Sequence, residues 1–116
     1  MIESTKYRTK DNVYLDISPD DLSSELFFKA QGQKNKKYRR LFVHDDLGVL
    51  KGASLGIGRA VTPAHSVKSN TSVRIIEGYK PLNIPVILHY RKQAYYTKLH
   101  HAIRDLLVKN CPGYLT

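Results

Sequence analysis

The chain has 116 residues, of which 41% are hydrophobic and 25% charged, and this composition is typical of one small globular domain, not of a disordered chain. Its 19 Lys and Arg outnumber its 10 Asp and Glu, which gives a formal net charge of +9. The single cysteine, Cys111, excludes an intramolecular disulfide framework and a multi-cysteine zinc site. We therefore expect a single domain over residues 1–116 that binds a polyanion, with nucleic acid favoured over an anionic membrane surface.

The positive charge is unevenly distributed. Residues 34–40 read Lys-Asn-Lys-Lys-Tyr-Arg-Arg, and between Asp46 and Asp105 the only carboxylate is Glu77. A run of charge alone is also typical of a solvated face, but so long a stretch with one acid favours phosphate contacts. No apolar run approaches the ~20 residues that span a bilayer, and the first residues do not resemble a signal peptide, so we expect a soluble intracellular protein.

The pattern of side chains in the first half of the sequence predicts three strands. Residues 1–11 are polar, and we expect them to be loosely held. Asn12–Ile17 alternates in period two, which predicts a short strand. Ser18-Pro19 could open a helix or form a turn. We favour a turn, because Ser24–Ala30 and Lys36–His44 also alternate and are joined by a loop with Gly and Asn, as in a β-hairpin.

The second half predicts two more clear strands and one helix. Asp45–Gly48 is expected to form a turn, and residues 48–70, which are rich in Gly, Ser and Thr, to contain one or two short irregular strands. Ser72–Glu77 and Pro85–Arg91 alternate again. Gln93–Lys109 carries an apolar stripe at helical spacing, and Asn110–Gly113 is expected to end that helix. The expected fold is α+β: a mostly antiparallel sheet meander with a C-terminal amphipathic helix packed on one face.

The apolar face of the predicted helix is wide enough to contact both its own sheet and a partner. We therefore expect a dimer interface that contains Tyr95, Tyr96, Leu99, Ile103, Leu106 and Leu107. Tyrosines near this helix could also stack on bases, since cations lie beside them, although tyrosines at helical spacing more often belong to a core. The residues concerned are Tyr90, Tyr95, Tyr96, Arg91, Lys92 and Lys98.

The segment Gly52–Gly58 resembles the cofactor loop of short-chain dehydrogenases. That loop needs a long helix directly after it, so that a pyrophosphate can lie at the helix N-terminus. Here Pro63 stops any helix within about one turn, and the Tyr-x-x-x-Lys of that family is absent. We therefore interpret the glycines as turns or bulges and expect no cofactor.

Three residues of the predicted helix are candidates for catalysis: His100, His101 and Arg104. A small basic ribonuclease of the toxin kind would use histidine as general acid and base and arginine to stabilise phosphate charge. Adjacent histidines on a helix point about 100° apart and do not form the i, i+4 zinc pair, so surface or interface histidines are the favoured interpretation. We therefore expect that the protein is not an enzyme and has no metal site. A further hypothesis, besides a structural RNA-binding protein and a ribonuclease, is a nucleic-acid-binding regulator that does not assemble.

Residues 26–43, Leu-Phe-Phe-Lys-Ala-Gln-Gly-Gln-Lys-Asn-Lys-Lys-Tyr-Arg-Arg-Leu-Phe-Val, resemble the central hairpin of coat proteins of single-stranded RNA bacteriophages. In that family a strand ending in a basic residue and Gln turns through polar residues into a basic-basic-Tyr strand. The resemblance implies a dimer whose helices cross the partner's sheet, an icosahedral shell of such dimers, and a sheet face that binds genomic RNA.

On this hypothesis the protein is a capsid protein, found in the virion or the host cytoplasm, with no membrane partner and no small-molecule substrate. The hairpin alternation would place four side chains under the helices, those of Leu26, Phe28, Tyr38 and Phe42. The RNA-binding residues expected on the opposite face and on the later strands are Lys29, Lys37, Arg39, Arg74, His89 and Arg91.

Overall fold

The protein is described by a computed structural model over residues 1–115. The chain divides into two compact units, Met1–Leu82 and Asn83–Thr116, called here the N-terminal and C-terminal units. Within the described residues, all the strands lie in the N-terminal unit, and the longest helix lies in the C-terminal unit.

The N-terminal unit contains one five-stranded sheet, in the order β3-β2-β4-β1-β5. The strands are β1 (Ile2–Ser4), β2 (Val13–Asp16), β3 (Arg39–Phe42), β4 (Arg59–Ala60) and β5 (Val73–Ile75). The helical segments are α1 (Ser23–Ala30), α2 (Asp46–Ser54) and a 3-10 turn (Ala64–Val67). β2 runs parallel to β3 and β4, whereas β1 is antiparallel to β4 and β5. The α+β class is therefore confirmed, but the antiparallel meander is wrong.

The two helices of this unit cover opposite faces of the sheet. In β2, Leu15 packs with Val49 and Ala53 of α2. The next side chain along the strand, Tyr14, belongs to a separate cluster with Phe27 and Phe28 of α1. Because successive strand residues point to opposite faces, each helix covers its own face, and the helices connect parallel strands as in doubly wound sheets.

The largest difference from the sequence-based expectation lies in Ser24–Ala30, predicted as a strand and found within α1. The buried residues of α1 are Ser24, Phe27 and Phe28, at the i, i+3, i+4 spacing of one helical face. A strand would send the adjacent phenylalanines to opposite faces, whereas the helix buries both. Leu26, expected under the helices, is 43% exposed.

No β-hairpin forms in this region. The turn favoured at residues 18–21 is present, with the Asp21 amide donating to the Ser18 carbonyl at 3.1 Å. After it, α1 returns the chain to its starting end, so β3 pairs with β2 in parallel. The hairpin that carries the resemblance to phage coat proteins is therefore not present in the structure.

The N-terminal residues are also better ordered than expected. β1 lies inside the sheet between β4 and β5, and Ile2 is buried in the core beneath α2. A strand of three residues is too short to show a period, which is why residues 1–11 carried no signal.

Residues 45–70 form helical and turn structure in place of most of the expected strands. Asp45 is the N-cap of α2, and its side chain accepts a hydrogen bond from the Gly48 amide at 2.6 Å. The helix ends near Gly56, whose φ of +72° confirms a turn at that glycine. Gly52 instead lies inside α2, where it packs against Leu15.

The C-terminal unit consists of α3 (Lys98–Leu115) and a preceding segment without regular secondary structure. The C-terminal helix is thus confirmed, but it begins later than Gln93 and continues through Pro112. The strand predicted at Pro85–Arg91 is wrong, and α3 has no buried residue. Across the described part of the chain, no helix has the length and apolar character needed to cross a membrane.

Candidate nucleic-acid interface

We call residues 29–39 the basic loop; they comprise the end of α1, the connection that follows it and the first residue of β3. It carries no acidic residue, and its cations are Lys29, Lys34, Lys36, Lys37 and Arg39. All of these except Lys36 are exposed. Within residues 1–115 the ion pairs involve only other basic residues, so no carboxylate neutralises this loop. A surface of this kind attracts anions over several ångströms.

Two sets of contacts hold the basic loop in shape. The Lys36 ammonium lies 4.7 Å from the ring centre of Phe28, against the aromatic cluster beneath α1. Gln31 exchanges two hydrogen bonds with the Lys80 backbone, at 2.8 and 2.9 Å. Lys80 is exposed, and the chain thus brings a further cation to the loop that sequence reasoning missed. Because the loop is already ordered, less conformational entropy is lost when a ligand binds it.

The basic face expected on the sheet is not formed. Lys29 lies on α1 and Lys37 in the basic loop, so neither belongs to a strand. Arg39 and Arg74 do, but on the two edge strands, β3 and β5. Their registers place Arg39 on the α2 side of the sheet and Arg74 on the α1 side. The predicted placement of these cations on one sheet face is therefore wrong, since the segment predicted as a hairpin forms a helix, a loop and one edge strand.

Arg40, the last cation of the basic run at residues 34–40, forms structural contacts within the N-terminal unit. Its Nε donates to the Asp16 carboxylate at 2.6 Å, and Asp16 also accepts from the Ser24 hydroxyl at 2.7 Å. Burial is the largest single influence on the pKa of Arg40 and lowers it, but the hydrogen bond to Asp16 and the electrostatic attraction of Asp16, Tyr38 and Asp21 together raise the pKa. The guanidinium also donates to the turn after β2, at the carbonyls of Ser18, Pro19 and Asp21.

The carboxyl ends of parallel strands are the usual ligand site of doubly wound sheets. At the ends of β2 and β3 this space is taken by the Arg40 guanidinium and the turn that it ties down. The glycines of residues 52–58 lie within and after α2, and so at the end of a helix and not before one. Neither feature provides the phosphate-binding helix start that a dinucleotide would need.

The C-terminal unit contains a cluster of accessible aromatic rings. Tyr96 and His100 stack with ring centres 4.3 Å apart, and Tyr90 lies edge-on to Tyr96 at 6.1 Å. Exposed residues from the same stretch of chain include His89, Arg91, Lys92 and Lys98. Aromatic rings among cations are the surface on which unpaired bases stack. His89 and Arg91 are exposed, but they lie in an irregular segment of the C-terminal unit and not on the strand predicted for them.

The residues of the ribonuclease hypothesis are mostly engaged with neighbours. The His100 ring is stacked on Tyr96, and Arg104 donates to Asp105 at 2.8 Å. This hydrogen bond raises the pKa of Arg104. His101 is exposed, with its ring centre 6.5 Å from that of His100. In residues 1–115 no group of three His, Cys, Asp or Glu side chains could hold a metal ion.

The expected dimer-interface residues lie on or just before α3. Five of them are between 41% and 77% exposed: Tyr95, Leu99, Ile103, Leu106 and Leu107. Tyr96 is partly covered, and its hydroxyl accepts from the Gln93 amide at 2.9 Å. The C-terminal unit therefore has an apolar helix face and no core of its own.

Comparisons with protein-family models, with curated proteins and with solved structures found no match to this chain.

Proposed function

We propose that the protein binds single-stranded RNA through its phosphate backbone, without cleaving it, and that the basic loop is the main contact. The observation that carries this proposal is the set of exposed loop cations with no carboxylate partner in the described residues: Lys29, Lys34, Lys37 and Arg39. Each phosphate that such a cation neutralises releases counterions into solution, which favours binding. Phosphate contacts position a strand without reading its bases, so we expect weak sequence preference.

The aromatic cluster of the C-terminal unit supports a single-stranded ligand over a duplex. Tyr90 is more than half exposed, and Tyr96 and His100 are partly so. Stacking on such rings requires bases that are not already stacked within a helix. The ribonuclease alternative is less favoured, because the Asp105 carboxylate balances the charge of Arg104 and the His100 ring is stacked on Tyr96.

We further propose that the C-terminal unit self-associates, with a second copy of α3 as the partner. Leu99, Ile103 and Leu106 follow one another at i, i+4 and i+7, and the C-terminal unit itself does not bury them. Exposed apolar stripes of this length mark interaction sites. Two-fold dimers, in which both copies use the same patch, are the commonest closed assembly. The capsid hypothesis extends this proposal: such dimers would assemble into a shell, and the positive charge of the protein would bind the RNA inside it.

RNA binding is tested by fluorescence anisotropy with a labelled single-stranded RNA and a duplex of the same sequence. We expect the single strand to bind more tightly at low salt and to remain full length after incubation. No binding at low salt would overturn the proposal. Shortened RNA with wild-type protein, but not with His101→Ala, would establish the ribonuclease instead.

Self-association is tested by size-exclusion chromatography with light scattering and the 260/280 nm absorbance ratio of each peak. We expect the wild type to be a dimer or larger, and Leu106→Asp to be a monomer. Leu47→Asp, at an exposed position of α2, is the matched control and should leave the mass unchanged. A megadalton particle containing nucleic acid would support the capsid form, and a monomeric wild type would refute self-association.

A further inference from the structure

A polar cavity of about 180 Å³ lies where β1, β4 and β5 meet the loop between β1 and β2. Its walls carry three arginines, Arg8, Arg59 and Arg74, and two carboxylates, Glu3 and Asp11. We call it the arginine cavity. None of its lining residues belongs to the basic loop. This space admits several waters and is therefore large enough for a phosphate group.

Glu3 positions two of the arginines. Its carboxylate accepts from Arg59 Nε at 3.1 Å and from Arg74 at 2.8 Å. The hydrogen bond from Arg74 is the largest of the causes that hold the pKa of Glu3 below its usual range. Arg59 reaches the exposed Asp11 only at 3.8 Å. One close carboxylate cannot neutralise two guanidinium groups, and each guanidinium has five N–H donors, so donors and positive charge remain for a ligand.

Arg8 and Thr9 complete the wall on the loop side. Arg8 is exposed and is not among the residues that form ion pairs within the described chain. Thr9 is 7% exposed, and in residues 1–115 its hydroxyl is the buried side-chain polar atom that lacks a hydrogen-bond partner. Buried hydroxyls are normally satisfied by protein, water or a bound oxygen atom. The Thr9 hydroxyl is itself covered by neighbouring atoms, so Arg8 is the group on this side of the cavity that a ligand can contact.

We propose that the arginine cavity binds a phosphate group. Planar guanidinium groups match the oxygens of phosphate in pairs, and three of them converge on one cavity here. Tyr7 also lines the cavity and is nearly half exposed, so its ring is available to a base attached to that phosphate. The phosphate belongs either to a free nucleotide or to an RNA strand, and the experiment separates these sources.

The first test titrates the full chain with orthophosphate and then with AMP, followed by amide chemical shifts. We expect shifts concentrated at residues 7–11, 59 and 74, with sodium chloride at equal ionic strength causing none. Arg8→Gln should weaken phosphate and AMP binding about tenfold, because a charge-assisted hydrogen bond is lost while the fold is kept. Lys51→Gln, an exposed cation on α2 across the sheet, is the matched control and should bind like the wild type.

Thr9→Val supplies a second control. It removes a covered hydroxyl that has no partner within the described residues, so thermal stability should hold or rise while phosphate binding stays at the wild-type level. Unchanged phosphate binding in Arg8→Gln would overturn the proposal, as would orthophosphate shifts spread evenly over the surface.

The sources are separated with AMP and a single-stranded RNA that lacks a terminal phosphate. Competition between the two, lost in Arg8→Gln, would assign the cavity to the RNA backbone. Binding of AMP that the RNA does not displace would assign it to a free nucleotide. The basic loop is tested separately, since Lys34→Gln/Lys37→Gln should leave AMP binding unchanged. The two proposals can therefore fail separately: the protein could bind phosphate in the cavity without binding RNA, or bind RNA without binding phosphate in the cavity.

Discussion

The dependence of RNA binding on salt follows from the number of loop cations that contact phosphate. Lys34→Gln/Lys37→Gln removes two of the four exposed cations of the basic loop. For a single strand, the slope of log affinity against log salt is about −0.7 per phosphate neutralised, so four contacts give about −2.8 and two give about −1.4. Between 50 and 200 mM KCl, we expect the affinity of the wild type to fall about 50-fold and that of the variant about 7-fold.

The measurement is anisotropy of a labelled RNA at four or more salt concentrations. The matched control is Lys51→Gln/Lys68→Gln, which removes the same charge from exposed positions outside the loop. We expect the control to keep the wild-type slope. Equal slopes for the two double variants would refute the reasoning, because binding would then respond to the net charge of the whole protein and not to the loop.

Three further predictions concern the N-terminal unit. Asp16→Ala should lower the free energy of unfolding by about 2 kcal/mol, since the partly exposed Arg40 guanidinium loses its carboxylate and the buried Ser24 hydroxyl loses its acceptor, whereas the exposed Asp20→Ala should cost little in the same urea titration. The hydrogen bond from Arg74 leads the causes that lower the pKa of Glu3. The ionised Glu3 carboxylate therefore stabilises the fold at pH values above its unfolded pKa of about 4.3, and this contribution is lost as the pH falls through its lower folded pKa. In Glu3→Gln, the free energy of unfolding should therefore depend less on pH in that acid range. Gly56→Ala should cost about 1 kcal/mol in thermal unfolding, because φ is +72° there and the new Cβ would lie 3.0 Å from a backbone oxygen.

Elements whose signal is local were predictable from the sequence. The alternation of residues 12–17 marked β2, and that of 72–77 marked β5. The apolar stripe from Leu99 to Leu106 marked the C-terminal helix, since several side chains repeated at one period. The excess of positive charge and the position of its densest run also needed only the sequence.

Helix α1 shows where a local pattern stops being informative. Over seven residues, Leu26, Phe28 and Ala30 fit a strand face, whereas Ser24, Phe27 and Phe28 fit a helix face. Neither pattern is long enough to exclude the other. The aromatic cluster decides. The rings of Tyr14 and Tyr38 pack on Phe28, and that of Tyr79 packs on Phe27. The two adjacent phenylalanines can both reach this cluster only when they lie on one helical face.

The sequence by itself determined the charge, the strands with a clear period and the presence of a C-terminal helix. The tertiary structure decided the parallel pairing of β2, the commitment of Arg40 to the buried Asp16, and the arginine cavity. Glu3 and Arg74 are 71 residues apart in the chain and meet only because β1 pairs with β5. Such contacts have no period and no fixed spacing, since they depend on which strands become neighbours once both faces of the sheet are buried.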